Sequence, residues 1–158
     1  MVKNIIPLLA LILSACGAQN AAIVSNEESM NEQSSSVITF NTIALQLNSI
    51  KTKDNYYLLE SFEINLSIDL KNESYTGNSG CNSFFGKVEM VGQDKLLFRV
   101  GGITEMMCEQ SVMEWESRFL NALMESEFTV NESGKTVLFS GDEGIKTMSF
   151  TRIETAEE

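Results

Sequence analysis

Two thiols are the first residues in this chain that could do chemistry. Cys81 lies in Ser-Gly-Cys-Asn-Ser-Phe-Phe-Gly, residues 79–86, and Cys108 closes Ile-Thr-Glu-Met-Met-Cys, residues 103–108. A nucleophilic cysteine needs a base or an electropositive neighbour to hold it as the thiolate. The chain has no histidine, which removes the commonest general base and the commonest transition-metal ligand. The two cysteines are far from the C-x-x-C spacing of a disulfide oxidoreductase. Two thiols without a histidine also leave a zinc ligand set half empty. Carboxylates are the remaining candidates. Asp142-Glu143 is an adjacent pair in a turn, where neighbouring side chains point apart. Ser140-Gly141-Asp142-Glu143-Gly144 lacks the spacing of an EF-hand loop. The residues supply no catalytic constellation, no metal site and no cofactor site, and the chain reads as a non-enzyme.

What else two cysteines do depends on the compartment, which the N-terminus addresses. The chain opens Met-Val-Lys-Asn-Ile-Ile-Pro-Leu-Leu-Ala-Leu-Ile-Leu-Ser-Ala-Cys. Lys3 gives a positive start, and Ile5 to Leu13 is an apolar run too short to span a bilayer permanently. Leu13-Ser14-Ala15-Cys16 looks like a bacterial lipobox, and the alternative is an ordinary secretory signal with an incidental cysteine. The expected layout is a signal peptide over residues 1–15, a lipidated Cys16 opening a flexible tether over 16–38, and a folded domain over 39–155. Several acyl chains on Cys16 would anchor the protein stably, where one chain is marginal. Gly17, with no Asp after the lipidated cysteine, favours the outer membrane, with the domain facing the periplasm. The tether is rich in Ser, Asn, Gln and Glu and cannot bury enough apolar surface to offset its ordering entropy.

An oxidising envelope favours a disulfide between Cys81 and Cys108. Two structural free thiols and a reactive Cys81 are the alternatives. A bridge between them would stabilise the fold by about 3–4 kcal/mol. In this reading Gly80 and Gly86 give the backbone freedom around Cys81, and Asn82 hydrogen-bonds its own turn.

The elements that must position these residues are mostly strands. Phe62, Ile64, Leu66, Ile68 and Leu70 alternate with polar residues, as in a half-buried strand. Ile43–Ile50 reads as an earlier strand, which Tyr56–Glu60 extends. Asn72–Asn82 is rich in turn formers. Phe84–Val91 and Leu96–Val100 read as a hairpin, and Phe128–Val130, Val137–Ser140 and Ile145–Arg152 as three closing strands. Ser111-Val112-Met113-Glu114 fits a capping box. Val112, Trp115, Phe119, Ala122 and Leu123 follow at helical spacing, with Glu114, Glu116, Arg118, Asn121 and Glu125 on the other side. The expected fold class is α+β: a curved, mostly antiparallel, barrel-like sheet packed against one main helix.

Charge narrows the partners. The chain carries 22 acidic and 11 basic residues, net −11, and removing residues 1–15 takes away only Lys3, leaving −12. Such a protein is repelled by nucleic acid and attracts cationic partners. The expected partners are the membrane, through the lipid, and an envelope protein. The domain itself is expected to be a monomer.

Gly80-Cys81-Asn82 with Gly86, then Thr104 and Cys108, then Glu114 opening a helix through Phe119 and Leu120, and finally Met148-Ser149-Phe150-Thr151-Arg152, resemble the META domain family, which includes heat-shock lipoproteins of the HslJ type. The resemblance covers Phe62 to Arg152. Many members carry a Trp in the first strand, and Ile43–Ile50 has none. The resemblance implies a small α+β fold and an envelope protein linked, in some relatives, to heat stress and tolerance of novobiocin. It brings no established catalytic activity, so Gly80, Cys81, Asn82, Gly86, Thr104 and Cys108 carry over as motif positions only. A second function is an acidic lipoprotein inhibitor of a cationic lysozyme or protease, presenting Glu60, Glu63, Asp69, Glu73 or Asp142-Glu143.

Overall fold

The computed structural model describes residues 37–141 and 144–153. The signal peptide, Cys16, the tether up to residue 36 and the Asp142-Glu143 pair lie outside the described residues.

Among the described residues, nine strands and one helix follow in the order β1 (Thr42–Lys51), β2 (Tyr56–Leu58), β3 (Asn65–Asp69), β4 (Ser74–Asn78), β5 (Ser83–Val91), β6 (Lys95–Ile103), α1 (Gln110–Leu123), β7 (Ser126–Ser133), β8 (Thr136–Ser140) and β9 (Thr147–Ile153). Every pairing is antiparallel. From β3 to β9 each strand pairs with the next, and β9 returns to pair with β1. Eight strands therefore close on themselves, which leaves no long open edge. β2 is a short addition that continues the β3-facing edge of β1, through Ser49–Lys51. The fold is the curved sheet with one helix that the sequence implies.

Strand alternation turns the apolar positions inward. Ile64, Leu66, Ile68, Leu96, Phe98, Val137, Phe139, Met148 and Phe150 have essentially no exposed surface. Aromatic rings run through the interior in edge-on and tilted contacts, with Phe98 5.3 Å from Tyr75 and 5.8 Å from Phe139, which is 4.9 Å from Phe150. Phe119 brings α1 onto this core at 5.5 Å from Phe84. Such ring pairs add about 0.5–1.5 kcal/mol each beyond their buried area.

Irregularities carry their own logic. β1 shifts register between Leu47 and Ser49. The bulge at Asn48 breaks the period of two, so Leu47 and Ile50, three apart, both face inward.

Several local expectations change. Asn72–Asn82 is not simply a turn: Ser74–Asn78 forms β4, because Tyr75 is buried in the core while Asp69 and Asn72 close the tight connection before it. The strand expected from Phe62 to Leu70 is regular only from Asn65 to Asp69; Ile64, fully buried, and Leu70 extend it with single backbone bonds to Leu47 and Asn41. The capping box does not form. The helix begins at Gln110, before Ser111, and its N-cap Glu109 makes no side-chain cap bond.

Candidate functional site

The motif residues converge at the junction between β4–β5, the end of β6 and α1. Cys81 and Cys108, 27 positions apart in the sequence, form a disulfide with Cα atoms 6.0 Å apart. Gly80 has φ +96°, and a Cβ there would meet the Phe62 ring at 2.8 Å. An L side chain would meet both backbone strain and a wall. Gly86 is different, since it has no positive φ. A Cβ on Gly86 would stand 2.3 Å from the Tyr75 hydroxyl and 2.6 Å from the Arg99 carbonyl. Those two groups hydrogen-bond at 2.8 Å across the glycine. Gly86 thus supplies space rather than the backbone freedom expected for it.

Asn82 is the hub, and it is 3 % exposed. Its Oδ1 accepts from the Thr104 hydroxyl at 2.9 Å and from the Met106 amide at 2.7 Å. Its Nδ2 donates to Glu116 Oε1 at 2.9 Å and to the Met106 carbonyl at 3.3 Å. Two donors and two acceptor sites are the whole inventory of an asparagine amide, and all four are engaged. The expected bond to its own turn is absent; that role belongs to Asn78, whose Oδ1 accepts from the Gly80 amide at 2.8 Å. Thr104 completes the link by accepting from the Ser83 amide at 3.1 Å.

Glu116 is the residue that the sequence reading misplaced. It does not lie on the outer side of α1. Its carboxylate accepts from the Asn82 backbone amide at 3.0 Å, from Asn82 Nδ2 and from the Ser79 hydroxyl. Ser79 is fully buried. The signal was present: Val112, Glu116, Phe119 and Leu123 recur at the spacing of one helix face, so Glu116 interrupts an apolar stripe. The arrangement is a clasp. One disulfide and one saturated amide tie the Cys81 turn, the segment before the helix and the helix itself. Its motif atoms are spent on one another, which leaves the site little to offer a substrate.

The opposite flank of α1 is open. Residues 116 and 118 are about 200° apart around a helix of ~3.6 residues per turn. On the Arg118 side a cleft of about 700 Å³ runs between the helix and the end of β1, lined by Ile50, Thr52, Met113, Ser117, Arg118 and Lys146 among others. The Arg118 guanidinium carbon stands 4.0 Å from the centroid of Tyr57 and 5.1 Å from that of Trp115. Tyr57 and Phe62 pack edge-on against Trp115, with centroids at 6.2 and 6.5 Å. The Lys146 ammonium donates to the Ala122 carbonyl at 2.6 Å and to the Ser126 hydroxyl at 2.7 Å, capping the C-terminal end of α1. This places a positive charge where the helix dipole is negative.

Comparison with known proteins gives a family and a fold. The family model described as META domain matches residues 40–155. No curated relative matches. An NMR structure of a protein from Burkholderia xenovorans superposes with a TM-score of 0.60 at 24% identity, over 72% of this chain and 83% of that one. A crystal structure of a DUF4847 family protein from Bacteroides vulgatus gives a TM-score of 0.40 at 15% identity, over 56% of this chain and 57% of that one.

Proposed function

The chain belongs to the META domain family, and from that premise we propose that it is a non-catalytic lipoprotein of the bacterial cell envelope. It is anchored in the outer membrane through Cys16 and supports tolerance of envelope stress, including that imposed by novobiocin. The observation that carries this reading is the saturation of the clasp. Asn82 uses its full hydrogen-bonding capacity inside the domain, and the two thiols are joined to each other. A motif spent in this way serves shape, and a robust shape is what a domain exposed to heat and oxidant needs. The Leu13–Cys16 sequence supports the anchor, and a disulfide suits an oxidising compartment.

Deletion of the gene tests the reading. Sensitivity to novobiocin and detergent should rise, the wild-type gene should restore tolerance, and Cys16→Ala should restore it less. Unchanged sensitivity in all envelope-stress assays overturns it.

Net charge −12 favours the inhibitor of a cationic enzyme as a second reading, since it would steer a basic target inward. Glu60, Glu63 and Glu73 are exposed, whereas Asp69 is held by Asn72 in its own turn. Lysozyme titrated with the purified protein should lose activity; full activity at large excess ends this reading.

A further inference from the structure

Arg118 is spent differently from the other charges on α1. Glu114 and Arg118 have the spacing at which a helix forms an ion pair. Instead Glu114 accepts from Gln110 Nε2 at 2.9 Å, and Arg118 lies over Tyr57 and Trp115. No described carboxylate pairs with it, in a chain with twice as many acids as bases. The ring contacts engage the face of the cation, and no described hydrogen bond or ion pair uses its N–H donors.

That cation belongs to a concave site. Ile50 is fully buried behind its floor, while half-buried Met113 and the edge of Ala122 present apolar surface beside the cation. The volume of about 700 Å³ lies within the ~300–1,000 Å³ common for small-molecule pockets. We propose that this cleft binds small amphiphilic carboxylates: a single carboxylate received by Arg118, with a short apolar body against Met113 and the accessible edge of Ala122. A carboxylate matches the planar fork of arginine. A dianionic phosphate matches it too, but brings a second negative charge toward Glu114 in the same lining. The Lys146 ammonium, already donating to Ala122 and Ser126, adds positive potential rather than a free donor. The inference concerns the domain alone and does not depend on the anchor at Cys16.

Trp115 is the only tryptophan in the chain and sits beneath Arg118, so its emission reports the site directly. Octanoate should change the emission of the purified protein saturably. Octyl phosphate, octanol and inorganic phosphate should each bind about tenfold more weakly or worse, which separates the carboxylate from the tail and from bare anion binding. Arg118→Gln should weaken octanoate binding by about tenfold or more. Ser117→Phe, at an exposed position in the lining, should block the cleft, and it serves as the decisive variant if Arg118→Gln fails to fold. Equal octanoate affinity in the wild type and either folded variant overturns the proposal. So does the absence of saturable change both in Trp115 emission and in the amide resonances of Met113, Ser117 and Asn121. Tighter binding of octyl phosphate than octanoate overturns the carboxylate assignment.

Discussion

The two flanks of α1 treat their polar groups in opposite ways. On the Glu116 flank each carboxylate and amide contact lies within the clasp, and a disulfide locks the same junction. On the Arg118 flank a guanidinium lies over two aromatic rings and pairs with no described carboxylate. The difference teaches where to look for function in this domain. Motif residues with saturated hydrogen bonds describe how the barrel holds its helix. The side chain with unspent donors, beside an apolar cleft, describes what the surface can still do.

The sharpest way to break that contrast is to open the clasp. Reducing the Cys81–Cys108 disulfide, or replacing both with serine, should cost about 3–4 kcal/mol, measured by denaturant unfolding with and without reductant. A loss below about 1 kcal/mol would mean that the junction does not depend on the bridge. Asn82→Ala comes next. It leaves the Met106 amide, the Thr104 hydroxyl and Glu116 each short of a partner, and should cost about 2–3 kcal/mol. Asn82→Asp should be no better, because it sets a carboxylate against that of Glu116 and removes two donors. If Asn82→Asp is as stable as the wild type, the hub has been misassigned.

Much of this architecture was legible in the residues. Period-two alternation located β3, apolar runs bounded by turns located β1, β5, β6 and the closing strands, and a 3.6-residue period located α1. The Cys81–Cys108 pair could be framed by compartment alone. Other features were hidden for physical reasons. β4 is masked because Ser74, Gly77 and Asn78 are turn formers by type, while tertiary pairing on both sides holds them extended. The helix start was misplaced because a capping box is only a local preference, and the chain enters α1 from the disulfide at Cys108. Glu116 was assigned outward by its charge, although its position in the Val112–Leu123 stripe pointed inward. The contact between Tyr57 and Arg118 joins residues far apart in sequence, through an aromatic wall that no spacing rule encodes.

Tyr75 sharpens the tight side with a pH dependence. Its hydroxyl crosses Gly86 to the Arg99 carbonyl. Burial pushes its pKa above the ordinary 10.0, and the charge of Glu125 adds to the shift. The folded state therefore holds this proton more tightly than the unfolded state. The resulting stability is fully present below pH 10.0 and is lost as pH rises through the raised folded value. Tyr75→Phe should cost about 1 kcal/mol near neutrality, for one lost hydrogen bond. The gap between variant and wild type should narrow as the pH is raised beyond 10.0, followed by urea unfolding at each pH. A gap that widens there would mean that the hydroxyl is ionised in the fold, with no donor to give Arg99.

The smallest stability effect belongs to the open flank, and there the smallness is the prediction. Arg118→Gln removes a half-exposed cation from two ring faces, which is worth about 0.5–1 kcal/mol. It leaves no carboxylate without its counter-charge, since none of those described is paired with Arg118. The unfolding midpoint should therefore shift far less than in Asn82→Ala, while octanoate binding falls sharply. The two variants divide the helix between them: one should lose stability and the other the ligand. A large loss of stability in Arg118→Gln would make the stacked guanidinium a second clasp, and the contrast between the flanks would disappear.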